Sequence, residues 1–142
     1  MKFDQSAHVL TDRGRFALSL RTARSWWSRF RGLMLTQPLQ VQPVAEGLLI
    51  PGCPSVHGFF MRYALDIAYL HLIPETDSGG LRRYRVTHLA RLNPWHVSWG
   101  RHWRCGSGAS AKVLRSEHAL ELPAGCIAAF GMAPGDWVEV AV

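Results

Sequence analysis

The chain has 142 residues and a mass of 15.9 kDa, and 48% of its residues are hydrophobic. This length suits a single domain over residues 1–142, and this hydrophobic fraction predicts a packed globule rather than a disordered chain. Sixteen Lys and Arg residues oppose ten Asp and Glu residues, which gives a formal charge of +6. An anionic partner would suit this charge, but no block of five like charges occurs, so a basic monomer without a polyanion partner is the simpler interpretation.

The sequence also indicates the cellular compartment of the protein. The first residues do not combine a basic region with an apolar stretch, so we predict no signal peptide, and no run of 18 apolar residues predicts a membrane span. The three cysteines, Cys53, Cys105 and Cys126, are odd in number and form no Cys-x-x-Cys pair, which argues against a disulfide framework and a structural zinc site. A reduced, cytoplasmic protein without metal or cofactor is the expectation.

Hydrophobic periodicity in the first third of the chain changes twice. Residues 16–20 alternate between apolar and polar side chains, which predicts a half-buried strand. Residues 23–34 follow a helical period and predict a short amphipathic helix. Prolines then punctuate the chain, so residues 46–50 are predicted to form a short strand between turns.

The remaining elements are mostly predicted strands. Residues 59–73 predict two strand segments that bend near 62–64, and residues 77–80 predict a hairpin loop that leads into a strand over 81–89. Residues 93–111 are irregular, and order resumes at 112–122.

Near the end of the chain, residues 126–130 predict a short helix that ends at Gly131, and residues 137–142 predict a final strand. Together the patterns predict a mainly β domain, either a β-barrel or a β-sandwich, with two short helices.

Three motifs occur in a fixed order: Arg31-Gly32-Leu33-Met34, the apolar run over residues 55–70, and Glu121-Leu122-Pro123-Ala124-Gly125 followed by Gly135-Asp136. Their order and spacing resemble the bacterial and archaeal domain of unknown function 192 family. The resemblance implies a compact β-barrel or sandwich with short helices, and it implies no particular reaction. Because some members occur beside secretion and pilus-assembly genes, it also implies a role as an assembly accessory.

This chain departs from the family pattern at two places. Gly58 stands where a hydroxyl residue is usual after the histidine, which argues against any mechanism in which that hydroxyl acts. The segment between Pro94 and Glu121 is longer than usual, which suggests a local specialisation.

Cys53, His57, Arg62 and Asp66 form the candidate pocket. Cys53 and His57 suit a thiol–imidazole pair, and Arg62 and Asp66 suit a buried charge pair, because a carboxylate in an apolar run needs a partner. That pair has two interpretations, the polar floor of a ligand pocket or a structural clamp between two strand segments. Cys53, His57 and Met61 would be far apart on a strand, so we predict no metal site. No established catalytic motif occurs, and whether the protein is an enzyme stays open.

Trp95, Trp99 and Trp103 recur every four residues, with Arg101 and Arg104 between and after them. Tryptophan and arginine dominate protein-recognition surfaces, and the same mixture can hold single-stranded nucleic acid. The alternative is a loop that folds onto the barrel as a lid. We favour a non-enzymatic binding or assembly accessory protein with a protein partner, ahead of a small enzyme or ligand pocket, and consider nucleic-acid binding the weaker alternative.

Two further carboxylates are predicted to be architectural. Asp136 follows Gly135 in a turn, where its side chain is expected to accept hydrogen bonds from the backbone amides of that turn. Glu121 is expected to accept hydrogen bonds from backbone donors in the same way.

Overall fold

A computed structural model describes residues 3–24, 38–53, 55–58, 61–74, 79–100 and 117–142. Within these ranges the chain forms nine strands and one short helix. The strands are β1 (Gln5–Thr11), β2 (Gly14–Thr22), β3 (Ala45–Ile50), β4 (Ser55–His57), β5 (Leu65–Ile73), β6 (Leu81–Leu92), β7 (Val97–Trp99), β8 (Glu117–Pro123) and β9 (Trp137–Ala141), and the helix is α1 (Cys126–Phe130). The predicted mainly β class is confirmed.

Seven of the strands close into a barrel in the order β1-β2-β3-β8-β5-β6-β9, and β9 pairs again with β1. Neighbouring strands are antiparallel except for β2 and β3, which are parallel. Strands β4 and β7 pair separately as a two-stranded antiparallel sheet, called the ribbon below.

The barrel interior is filled by alternate side chains from all seven strands, as the pleat of a β-strand requires. They include Val9, Leu18, Leu20, Leu49, Ala68, Leu70, Tyr84, Val86, Leu120, Leu122, Val138 and Val140. Helix α1 packs against one end of this core, where Cys126 is buried and Phe130 is partly buried. The hydroxyl of Thr11 donates to the carbonyl oxygen of Phe130 at 2.6 Å, which ties the helix to the end of β1.

A second apolar cluster lies on the outer face of the barrel. It contains Leu48 of β3, Ile67 and Tyr69 of β5, and Ala119 of β8, which pack with Val56 of the ribbon. Burying a large apolar side chain contributes roughly 1.5–3 kcal/mol, so this contact fixes the ribbon against the barrel wall. The ribbon therefore has one face on the barrel and one face toward solvent.

Most of the predicted elements are confirmed where the structure describes them. The strand over 46–50 is β3, and the predicted helix over 126–130 is α1, which ends at Gly131 with φ 66. The expected helix over 23–34 falls almost entirely on residues outside the described ranges. In the stretch predicted to be irregular, residues 97–99 form a strand. No helix in the described residues has the length and apolar character needed to cross a membrane.

Candidate functional site

Asp66 is buried, as predicted, with 2% of its surface exposed. Its Oδ2 atom accepts hydrogen bonds from the backbone amides of Gly125 and Ile127, both at 2.9 Å, and its Oδ1 atom accepts one from Nε of Arg91 at 3.3 Å. The two amides belong to the first turn of α1, where backbone N–H groups have no partner within the helix. Asp66 therefore holds α1 against the barrel end.

The partner of Asp66 is therefore not the one that the sequence suggested. Arg62 is exposed, so the prediction that it is buried is wrong. The physical reason is local: Arg62 lies in the bend before β5, where its guanidinium remains in water. Arg91 takes the ion pair because β6 places it directly opposite Asp66.

The structure places the residues of the candidate pocket on different parts of the fold. Cys53 packs on the outer apolar cluster, and its thiol donates to the carbonyl oxygen of Ser55 at 2.8 Å. His57 lies on the ribbon, paired with Val97. Asp66 lies on the inward side of β5, on the same face as Ala68 in the barrel core. A thiol–imidazole site that uses this carboxylate is therefore not formed, and no group of three His, Cys, Asp or Glu side chains in the described ranges is arranged to hold a metal ion.

The ribbon is joined to the chain around Trp95 by a close backbone contact. The carbonyl oxygen of Gly58 accepts a hydrogen bond from the amide of Trp95 at 2.7 Å, and the amide of Gly58 donates to the carbonyl oxygen of His96 at 2.7 Å. A Cβ atom on residue 58 would lie 2.5 Å from the carbonyl oxygen of Asn93 and 3.2 Å from the nitrogen of Trp95. Glycine is therefore required for this approach.

Trp95 itself has an unusual backbone. Its φ of 67 makes it the one non-glycine residue in the described ranges with a positive φ. Bulky residues rarely adopt this left-handed conformation, because the Cβ atom crowds the following carbonyl. The indole of Trp95 is nevertheless 59% exposed.

Three large apolar side chains lie at alternate positions along this segment. Trp95, Val97 and Trp99 are 59%, 39% and 38% exposed, whereas Ser98 between the last two is buried. We call these three residues the Trp-Val-Trp face. Val97 was missed from the sequence, although the alternation of Trp, Val and Trp at period two was the signal that indicates a strand. Arg101, Trp103 and Arg104 of the predicted recognition surface lie outside the described residues.

The buried side of the ribbon carries a layer of polar groups. The hydroxyl of Tyr69 donates to the hydroxyl of Ser98 at 2.9 Å, which links β5 to β7. Burial raises the pKa of Tyr69, and the hydrogen bond to Ser98 opposes that change only in part. Glu117 is fully buried beside Thr87 and Gly100. The ribbon is thus held by polar contacts as well as by apolar packing.

Glu121 does not behave as the sequence suggested. It lies on β8 opposite Leu48 and Ile67, only 4% exposed, and its Oε2 atom has no hydrogen-bond partner among the described residues. The prediction that it accepts hydrogen bonds from backbone donors is therefore wrong. Burial raises the pKa of Glu121 from 4.5 to about 8, so the carboxyl is protonated at neutral pH. For Asp136 the prediction is confirmed, because its Oδ2 atom accepts a hydrogen bond from the amide of Ala133 at 2.7 Å.

Comparison with solved structures shows that the same fold occurs elsewhere. A protein of unknown function from Novosphingobium aromaticivorans superposes with a TM-score of 0.66 at 21% identity, covering 94% of this chain and 82% of that one. A protein from Sinorhizobium meliloti described as a "putative transcription regulator" superposes with a TM-score of 0.62 at 19% identity, covering 99% and 96%. At these identities the likeness shows the fold alone.

Comparison of the sequence itself gives the family. No curated protein matches this chain significantly. Residues 8–140 match the profile of DUF192, a family described as "Uncharacterized ACR". The match covers nearly the whole chain and includes every barrel strand in whole or in part. The chain therefore belongs to the domain of unknown function 192 family.

Proposed function

We propose that the protein is a non-enzymatic binding protein whose Trp-Val-Trp face recognises an acidic protein partner. The observation that carries the proposal is the exposed indole of Trp95 on a left-handed backbone that Gly58 holds in place. This conformation costs roughly 1–2 kcal/mol. Backbone strain of this kind is concentrated at functional sites.

The charge around the face supports an acidic partner. Residues 78–116 contain eight Lys and Arg residues and no Asp or Glu. Within this stretch His96, next to Val97, is exposed, whereas the exposed Arg91 is paired with Asp66. A positive surface around apolar anchors steers a negatively charged protein toward them and excludes positively charged competitors.

The composition of the face favours protein over nucleic acid. Indole rings can stack on bases, but Val97 lies between the two tryptophans in sequence and offers no ring to stack. An aromatic and aliphatic mixture instead fits an apolar groove on another protein. The name of the Sinorhizobium neighbour makes nucleic-acid binding the competing hypothesis, which the experiment below also tests.

We also propose a cytoplasmic location. Cys53 and Cys126 are free thiols, and reduced cysteines suit a reducing compartment. Burial, with a smaller effect of the Asp66 charge, raises the pKa of the Cys126 thiol to about 11, which keeps it protonated and unreactive.

Site-specific photocrosslinking tests the recognition surface. We would replace Val97 with p-benzoylphenylalanine in the full chain, irradiate living cells and identify the crosslinked molecule by mass spectrometry. The matched control carries the same group at Leu81, which is 36% exposed and pairs with Ala141 at the start of β6. We expect one discrete acidic protein from position 97 and none from position 81. Its identity also tests the family-level expectation of a role beside secretion or pilus assembly.

The second arm measures affinity for the purified crosslinked protein. Replacing both Trp95 and Trp99 with Ala should weaken binding at least about tenfold, because aromatic anchors carry most of the binding free energy of an interface. The melting temperature should change little if the loss is one of recognition, since Trp95 is 59% and Trp99 38% exposed. Crosslinking to RNA or DNA in place of protein, equal crosslinking from both positions, or unchanged affinity of the double variant would each contradict the proposal.

A further inference from the structure

The end of the barrel opposite α1 opens into a cavity of about 400 Å³. Its polar lining comes from Gln5, Thr22, Arg24, Arg82, Tyr84 and His118. Cavities of this volume hold small organic molecules, and the mouths of β-barrels are frequent ligand sites. This cavity is separate from the Trp-Val-Trp face, which lies on the outside of the barrel wall.

Strand alternation explains why these polar groups point into the cavity. Thr22 follows Leu18 and Leu20 on the inward face of β2, and Arg82 precedes Tyr84 on the inward face of β6. Arg82 also lies opposite Val140, an inward residue of β9. At this end of the barrel, the inward-facing side chains therefore change from apolar to polar between one inward position and the next.

The ring of His118 is fixed at the same level. Its Nδ1 atom accepts a hydrogen bond from the backbone amide of Gly52 at 3.0 Å, and its ring meets that of Tyr84 edge to face at 5.5 Å between centroids. These contacts orient an imidazole and a phenol in the wall of the cavity that the two exposed arginines also line. Preorganised polar groups of this kind lower the cost of fixing a ligand.

The charge of the cavity is one-sided. Two guanidinium groups, Arg24 and Arg82, line it, and none of the described lining residues has an acidic side chain. Within the described ranges the ion pairs are formed by Arg83 and Arg91, so neither cavity arginine is neutralised by a carboxylate there. Guanidinium groups bind carboxylates with charge-assisted hydrogen bonds.

The rest of the wall is aliphatic. Leu49, Leu72, Val140 and Ala141 line the cavity beneath the polar rim. Below them the barrel core is closed, because Leu20, Leu70 and Leu120 are fully buried against one another. A ligand must therefore be short, with an anionic head at the rim and an aliphatic tail against the wall.

We propose that this barrel mouth binds a small aliphatic carboxylate, with Arg82 and Arg24 holding the carboxylate group and Leu49, Leu72 and Val140 contacting the chain. The site is independent of the recognition surface proposed above, so either can fail without the other. The binding requires no chemical step.

Isothermal titration calorimetry of the full chain tests this with three probes. Octanoate carries both the head and the tail, 1-octanol carries the tail without the charge, and inorganic phosphate carries the charge without the tail. We expect octanoate to bind at least about tenfold more tightly than 1-octanol or phosphate, since a charge-assisted pair contributes a factor of that order.

Two variants at neighbouring positions distinguish the effect of a local contact on octanoate binding from the effect of net charge. Arg82→Gln removes a cavity guanidinium and should weaken octanoate binding at least about tenfold. Arg83→Gln removes the same charge one residue away, but Arg83 points to the outer face, where it pairs with Glu139 and stacks on Trp137. That variant should bind octanoate as the unaltered chain does. Equal affinity for 1-octanol or phosphate, equal loss in both variants, or no octanoate binding would overturn the proposal.

Discussion

The amide of Trp95 donates to the carbonyl oxygen of Gly58 at 2.7 Å, so this glycine directly holds the tryptophan whose backbone is left-handed. A residue with a Cβ atom at position 58 would push the turn at Asn93 away and would disturb this contact.

Replacing Gly58 with Ser should lower the free energy of unfolding by roughly 1–3 kcal/mol, because the new Cβ atom would lie 2.5 Å from the carbonyl oxygen of Asn93. Urea unfolding measures the change. Gly58→Ala is the control, since it adds the same Cβ atom without the hydroxyl. Equal losses would assign the effect to crowding, whereas a Ser variant as stable as the native chain would show that the turn tolerates the side chain.

Replacing Trp95 with Asn should leave stability unchanged or raise it by up to about 1 kcal/mol, because asparagine tolerates a positive φ better than tryptophan does. Trp95→Ala serves as the comparison. Alanine also removes the indole ring, but it tolerates a positive φ less well than asparagine does, so the Ala variant should be the less stable of the two. Thermal melts of the two proteins check the order. A large loss of stability in both would mean that the indole packs as a lid.

Replacing Asp66 with Ala should lower the free energy of unfolding by about 2–4 kcal/mol, because the amides of Gly125 and Ile127 would lose a charged acceptor at a partly buried site. Arg91→Ala should cost under about 1 kcal/mol, since that side chain is 55% exposed and its ion pair is screened by water. Denaturant titrations of both variants separate the two contributions. Equal losses would assign the role of Asp66 to the ion pair instead of to α1.

Glu121 should make stability fall as pH rises. Its carboxyl is protonated in the folded state up to a pKa of about 8, whereas in the unfolded chain it ionises near 4.5. The folded state therefore holds the proton more tightly, and the contribution to stability is complete below pH 4.5 and lost between about pH 4.5 and 8. The slope is at most about 1.4 kcal/mol per pH unit.

The neutral variant Glu121→Gln isolates this effect. Its free energy of unfolding should be close to that of the native chain at pH 5 and should exceed it at pH 8.5, because glutamine has no charge to bury. Urea titrations at the two pH values give the difference directly. A difference that does not change with pH would show that Glu121 is ionised in the folded state.

The sequence predicted β2, β3, β5, β6 and β9 at least in part, but it missed β1. Alternation is visible at Leu18 and Leu20, whereas β5 is recognisable from its continuous apolar run, because its first six residues are all buried. The sequence could not predict the strand order. Strand β8 lies between β3 and β5 through pairings such as Leu49 with Leu120, and no local pattern encodes so distant a partner.

The candidate site shows the same limit. The sequence placed Asp66 beside Arg62 because the two are four residues apart, but the bend before β5 separates them. The actual partners, Arg91 and the start of α1, are 25 and 59 or more residues away. A carboxylate in an apolar run predicts that it has a charged or hydrogen-bonding partner. Only the strand topology identifies that partner.

Strand β9 closes the barrel by pairing with β1 on one side and β6 on the other. A ribosome makes β1 more than a hundred residues before residues 137–141, so the edge of β1 waits unpaired during most of synthesis, and the edge of β6, which ends at Leu92, waits for the last third of it. At typical elongation rates of about 5–20 residues per second that wait lasts several seconds. Unpaired strand edges can form hydrogen bonds with strands of other chains. A nascent-chain chaperone that covers β1 and β6 would therefore raise the yield of folded protein.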